Sequence, residues 1–153
     1  MKALELKIPP AITFLIMAMG IYFFRNILAF ELIPKSYASY TSYALILLSI
    51  LLGLSAVVLF KQGKTTVNPV SIDRASTLVS QGVFKYTRNP MYLALLMMLV
   101  ALTIRWQTGF GFVFCAVFIL YMNRFQILPE ERAMQTLFCD DYIHYKKTVR
   151  RWI

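Results

Sequence analysis

Arg88-Asn89-Pro90-Met91-Tyr92 opens a run that carries no charge until Arg105, and Pro129-Glu130-Glu131 stands just beyond the next uncharged run, residues 106–123. Two apolar runs in succession, with polar groups at the entry of the first and the exit of the second, decide the fold. If the first run enters a membrane and the second leaves it, Arg88, Asn89, Glu130 and Glu131 come to the same bilayer face. Ionisable groups at membrane depth are costly, so such a cluster marks a binding site by default.

The same pattern extends through the chain. Of 153 residues 59% are apolar, above the roughly 45–50% of soluble domains, and the excess lies in blocks. Residues 8–24, 36–60, 89–104 and 106–123 hold no charged side chain. Each is close to the roughly 17–25 residues of a helical bilayer crossing, and none shows the polar stripe of a soluble core helix. The prediction is an all-α fold, an integral-membrane bundle of four transmembrane helices with a cytoplasmic C-terminal amphipathic helix. As one domain over residues 1–153, it has spans at about 9–29, 40–60, 90–105 and 108–127, a cytoplasmic loop at 61–88 and a cytoplasmic tail at 129–153. The first run is not read as a cleaved signal, because Arg25-Asn26-Ile27-Leu28 follows it rather than small residues.

The net charge of +9 sorts by topology. Lys2 and Lys7 precede the first span; Lys61, Lys64, Arg74, Lys85 and Arg88 lie between the second and third; Arg124, Arg132, Lys146, Lys147, Arg150 and Arg151 follow the fourth. The other connections hold only Arg25, Lys35 and Arg105. The positive-inside rule then puts both termini and the central loop in the cytoplasm of a multi-pass cell-membrane protein. Attraction to anionic headgroups accounts for the surplus, and no aromatic-basic interleaving points to nucleic acid. Cys115, mid-span, and Cys139, in the tail, are not expected to pair, and His144 as sole histidine argues against a metal site.

Pro9-Pro10 is expected to start the first helix, and Asn89 to cap the third with Pro90 at its first position. Tyr37, Tyr40 and Tyr43 suit an aromatic belt. The stretch from 61 to 87 exceeds a plain connection of about two to eight residues and carries scattered apolar side chains, so it should pack over something. Gln107 to Gly109 leaves room only for a tight turn, which makes the last two spans an antiparallel hairpin. Pro129 can start or kink a helix, and from Met134 onward Leu137, Phe138, Tyr142, Tyr145 and Val149 recur on one helical face. Taken singly, Arg88-Asn89-Pro90 also reads as an interfacial anchor with a cap, and Glu130-Glu131 as acids in a first helical turn. Their joint position at one end of a hairpin, beneath a long loop, favours a site.

The residues carry a resemblance as well. Ser76-Thr77-Leu78-Val79-Ser80-Gln81-Gly82-Val83-Phe84, Arg88-Asn89-Pro90-Met91-Tyr92, Glu130-Glu131 with Phe138, and Asp141-Tyr142-Ile143-His144-Tyr145-Lys146-Lys147 with Val149 resemble the isoprenylcysteine carboxyl methyltransferases, and share the broader pattern of the phospholipid methyltransferases. The resemblance runs from about Thr65 onward. It implies S-adenosylmethionine as cofactor, contacted by Ser76, Thr77, Leu78, Val79, Phe84, Asn89, Pro90, Met91, Tyr92, Glu130 and Glu131. Arg88 and Gln126 are the expected substrate contacts; Gln126 stands where eukaryotic prenylcysteine enzymes carry arginine, which weakens a prenylcysteine carboxylate as acceptor. Asn89 replaces a frequent histidine, Ala94 a usual glycine and Cys139 another. The implied function is methyl transfer to a lipophilic or membrane-associated small molecule. The alternatives are a phospholipid-type N-methyltransferase or a non-catalytic four-span scaffold.

Overall fold

The computed structural model describes residues 5–27, 29, 33–62 and 78–153. Five α-helices account for most of them: α1 (Pro10–Phe23), α2 (Lys35–Gln62), α3 (Pro90–Trp106), α4 (Gly109–Met122) and α5 (Leu128–Thr148). A 3-10 turn at Gly82–Lys85 precedes α3, and among the described residues strand pairing is limited to an isolated bridge between Ala29 and Thr108. Two helices are long and apolar enough to cross a membrane, α2 and the continuous run from Gly109 to Thr148. The other two apolar helices are shorter: α1 has 14 residues where a span of 9–29 was expected, and α3, with 17, matches the expected 90–105. At 1.5 Å per residue these measure about 21 and 26 Å.

The proline signals hold. Pro9 is the N-cap of α1 with Pro10 at its first position, and Pro90 opens α3. Asn89, however, makes no side-chain capping bond; its amide is drawn to another partner, described below.

The last two expected elements are joined rather than separate. α4 continues through a π-turn, Asn123–Ile127, straight into α5, and Pro129 sits inside the first turn of α5. Proline lacks the N–H that would bond the carbonyl four residues back, and its ring crowds that carbonyl. The widened π-turn relieves the crowding, and the orphaned Phe125 carbonyl accepts the Leu6 N–H at 3.0 Å instead. Further along α5 the backbone breaks at Cys139 (φ 43°, ψ −118°). Tyr142, Tyr145 and Val149 are buried together with Leu78, Met134 and Phe138 against them. Leu137 departs from the expected face and is exposed.

Packing follows side-chain size. α2 lies on α3 through Ala38, Ser42, Ser49 and Ala56, all buried, and Ser49 Oγ donates to the Ala94 carbonyl at 2.9 Å. Small residues let helix backbones approach where lipid removes the hydrophobic drive between helices. The opposite face of α2, including Tyr37, Tyr40, Tyr43, Leu47 and Leu51, is exposed. α1, α3 and α4 share a core of Ile21, Leu99, Cys115, Phe118 and Met122, closed by Ile127. The hairpin between α3 and α4 turns at Gln107, which takes a left-handed conformation (φ 45°), and Gly111 lies against Thr103 where no Cβ would fit. Both cysteines are free thiols.

Two ends result. At one, Thr108 Oγ1 donates to the Ile27 carbonyl at 3.2 Å. At the other, residues 5–8, the entry to α3, the π-turn and residues 149–152 come together.

Candidate active site

The second end is built from two adjacent glutamates with different surroundings. Glu131 is buried beneath cations. Arg151 grips it with both arms, Nε to Oε1 at 3.0 Å and Nη2 to Oε2 at 2.7 Å. Arg88 Nη2 donates to Oε1 at 2.9 Å, and Lys146 Nζ lies 3.6 Å from Oε2. Burial alone would raise the Glu131 carboxyl, but the Arg151 hydrogen bond and the charges of Arg151, Arg88 and Lys146 outweigh it and hold it below the usual carboxylate range.

Glu130 is the reverse. It is half-buried, and the Tyr92 hydroxyl donates to its Oε1. Burial pushes it up to about 7 despite the Tyr92 hydrogen bond, and the neighbouring Glu131 charge adds to the rise. The apolar part of the α4–α5 run ends before Pro129, so both carboxylates stand at its polar margin. One acid is locked in its ionised form and the other is poised to gain or lose a proton near neutrality.

The entry to α3 is fastened to the residues after α5. Arg88 Nη1 donates to the carbonyls of Lys146 (2.8 Å) and Val149 (2.9 Å), and its backbone N–H to that of Arg150 (3.0 Å). Asn89 Nδ2 donates to the Arg151 carbonyl at 2.9 Å, as Thr87 Oγ1 does at 3.3 Å. Trp152 Nε1 reaches Asn123 Oδ1 at 3.1 Å. One donor is left over: Arg88 Nε is buried without a partner, a cationic N–H of the kind that an anionic ligand group satisfies.

The remaining expected site residues fall in four groups. Ser76 and Thr77 lie outside the described residues. Leu78 lines an open cavity of about 550 Å³ with Ser80, Lys85, His144 and Thr148, and Val79 follows it half-buried. Phe84 is buried edge-on to Phe60, and its carbonyl accepts the Tyr145 hydroxyl at 2.7 Å, which ties the 3-10 turn to α5. Pro90 and Tyr92 are buried at the start of α3, and Met91 packs on the core. Gln126 stands apart. It is almost wholly buried in the π-turn, its Nε2 donates to the Ile8 carbonyl at 2.6 Å, and its Oε1 has no partner.

The sequence reading overlooked Arg151, Lys146 and Thr87. Arg151 counted only as positive tail charge, and 62 positions separate its carbonyl from the Asn89 amide that binds it. Among the described residues no group of metal-ligating side chains forms.

Residues 37–141 match the phospholipid methyltransferase family, a stretch that runs from α2 through the poised glutamate into α5. The chain belongs to that family. Membership points to methyl transfer onto a lipid-type acceptor, in line with the resemblance read from the sequence. A relative from Haemophilus influenzae (strain ATCC 51907 / DSM 11121 / KW20 / Rd), described as an uncharacterized protein, is 41% identical over 63 residues, 41% of this chain and 100% of the relative. No solved structure matches the chain. The family match stops at residue 141, so Lys146 and Arg151, two of the three cations on Glu131, lie beyond it.

Proposed function

We propose that this chain is an S-adenosylmethionine-dependent methyltransferase of the membrane, acting at the cytoplasmic face on a lipophilic acceptor. The observation that carries this reading is the meeting of α3 and α5, where Tyr92 holds Glu130 and Arg88 holds Glu131 in a chain of this family. In the membrane reading, α1 and α3 join α2 and α4 as spans, α1 extended by the turn after Phe23. The basic residues crowd the site end, and Arg25, Lys35 and Arg105 are left for the other, which orients the site and residues 5–8 and 149–153 inward.

The residues fit such a cofactor on two counts. Glu130 is a carboxylate short of positive partners, suited to an ammonium or to ribose hydroxyls. Arg88 offers its unpaired Nε–H to a carboxylate. When bound, S-adenosylmethionine supplies an electrophilic methyl group on a sulfonium. What the protein adds is position. Tyr92 fixes the Glu130 carboxyl by its hydroxyl, so that an ionised Glu130 accepts hydrogen bonds in one orientation. In this reading Asn89, Pro90 and Met91 are expected to form the wall beside it, with Ser76, Thr77, Leu78, Val79 and Phe84 on the cytoplasmic side. Proximity and alignment of this kind contribute about 7–11 kcal/mol in favourable cases, and partial exclusion of water strengthens every charge interaction inside. In this reading Glu131 serves the site by holding it together, and Arg88 both closes that cluster and faces the ligand. Gln126, bonded to the Ile8 carbonyl in the π-turn, is expected on the acceptor side from the resemblance alone.

The family match favours a phospholipid-type amine acceptor over a prenylcysteine carboxylate, and the amide at Gln126 in place of a cation agrees with that preference. Titration of the unaltered chain in detergent with S-adenosylhomocysteine tests the cofactor reading. We expect binding that weakens about tenfold or more in Glu130→Ala, and labelled-methyl transfer into a lipid extract that rises with pH if the acceptor is an amine. Absence of binding would leave a four-span scaffold; unchanged affinity in Glu130→Ala would remove Glu130 from the site.

A further inference from the structure

Val149 leaves α5 with an extended backbone (φ −119°, ψ 134°), and the residues after it lie back across the entry to α3. Arg151 is the centre of this strap. Its guanidinium takes both oxygens of Glu131, and its carbonyl receives Asn89 Nδ2 and Thr87 Oγ1. Arg88 reaches Glu131 from the approach of α3 itself, and Arg151 makes the second link from the strap, by its side chain to Glu131 and by its backbone to Asn89 and Thr87. We propose that Arg151 is a positioning residue of the ligand site: it locks Glu131 and sets the amide of Asn89, so that Glu130 and Asn89 meet the cofactor in one fixed geometry. The inference rests on the cofactor reading above.

Consecutive helical residues point about 100° apart, so a Glu131 clamped from one side fixes the rotation of the turn that carries Glu130. A guanidinium fork constrains direction as well as distance, which a lysine ammonium does not. A side-chain amide that gives its nitrogen to a carbonyl turns its oxygen the other way. The Arg151 carbonyl therefore turns Asn89 Oδ1 away from the strap. Arg151 touches no reacting atom in this arrangement; it acts through Glu131 and Asn89.

The test compares the unaltered chain with Arg151→Ala, Arg151→Lys, Glu131→Gln and the double Arg151→Ala/Glu131→Gln variant, all full length in detergent. Calorimetry with S-adenosylhomocysteine gives Kd, initial rates with labelled S-adenosylmethionine and a lipid extract give KM and kcat, and thermal unfolding reports folding. Arg151→Ala is expected to raise Kd and the cofactor KM about tenfold or more, with kcat changed by less than about threefold. Arg151→Lys should fall between, since charge remains and the fork is lost. The double variant should bind no more weakly than the worse single one, because both changes break the same clamp. Arg151→Ala that lowers Tm yet binds as the unaltered chain does, or losses that multiply in the double variant, would overturn the proposal. If Arg151→Ala does not fold, Arg151→Lys decides, and full affinity there overturns it. An unaltered chain that binds no S-adenosylhomocysteine sinks the cofactor reading and this proposal together; binding that is lost in Glu130→Ala but kept in Arg151→Ala sinks this one alone.

Discussion

Replacing Glu131 by glutamine should unfold the protein earlier, and the same change at Glu130, one residue away, should not. Glu131 pairs with three cations, and Arg88 is the most enclosed of them, with 9% of its side chain exposed against 29% for Arg151 and 40% for Lys146. Breaking a buried ion pair costs about 3–5 kcal/mol because one charge is left without its partner. Arg151 and Lys146 keep enough water for their shares to be small, and an amide oxygen still accepts one hydrogen bond. A loss of about 2–4 kcal/mol follows, and at about 2–4 °C per kcal/mol for a chain of this size the midpoint should fall by about 4–16 °C. Glu130 has the opposite sign. Its carboxyl stays protonated in the fold up to about 7, whereas in the unfolded chain it ionises near 4.5. Between those values the folded state binds the extra proton, so this residue's contribution to stability is full below about 4.5, falls as pH rises and is lost above about 7. Glu130→Gln removes that decline. Thermal unfolding in detergent from pH 5 to 8 reads both effects: Glu131→Gln lower throughout, and Glu130→Gln level with the unaltered chain at pH 5 and level or higher at pH 8. A Glu130→Gln protein that melts well below Glu131→Gln would refute the division of labour between the two acids.

Three further outcomes test other parts of the structure. Gly111→Ala should lower stability by about 1–3 kcal/mol, because its Cβ would overlap the Thr103 side chain; a variant with unchanged thermal unfolding would deny the close hairpin contact. Cys139 holds φ 43° and ψ −118° in the middle of α5, a conformation costing a side-chain-bearing residue about 1–3 kcal/mol. Cys139→Gly should therefore raise the midpoint by a few degrees after about 0.4–1 kcal/mol of extra unfolded-chain entropy is subtracted, and a lowered midpoint would contradict the kink. Arg105→Ala, exposed at the other end of α3, should leave methyl transfer within about twofold of the unaltered rate, as radiolabel incorporation would show.

Much of the architecture was legible because it rests on local physics. Pro9-Pro10 and Pro90 start helices, uncharged runs mark apolar helices, and a three-residue turn forces a hairpin. Where details depart from the sequence pattern, a tertiary partner or a local helix end decides them. Asn89 stands at the N-cap of α3 as expected, but its side chain makes no capping bond and gives its Nδ2 to the Arg151 carbonyl. Pro129 stands in the first turn of α5, as its type allows, while the π-turn before it absorbs its ring and Leu6 satisfies the carbonyl it orphans. The length of α1 was overestimated because apolar composition continues past Phe23 while the helix does not.

The glutamate doublet shows why a motif read as a unit does not act as one. Neighbours on an α-helix diverge by about 100°, so two adjacent carboxylates do not readily face one ligand from the same turn. One of them is free to take a structural duty. The surroundings decide which: Glu131 turns toward Arg88, Arg151 and Lys146 and loses its protons readily, while Glu130 turns toward Tyr92 and keeps its proton to about 7. Binding of a cationic group beside Glu130 would favour its ionised form and release that proton. Affinity for such a ligand should then climb as pH rises toward 7 and level off above it, whereas a ligand held by Glu131 would show no such climb in that range. The pH profile of binding therefore separates the two acids without any mutation.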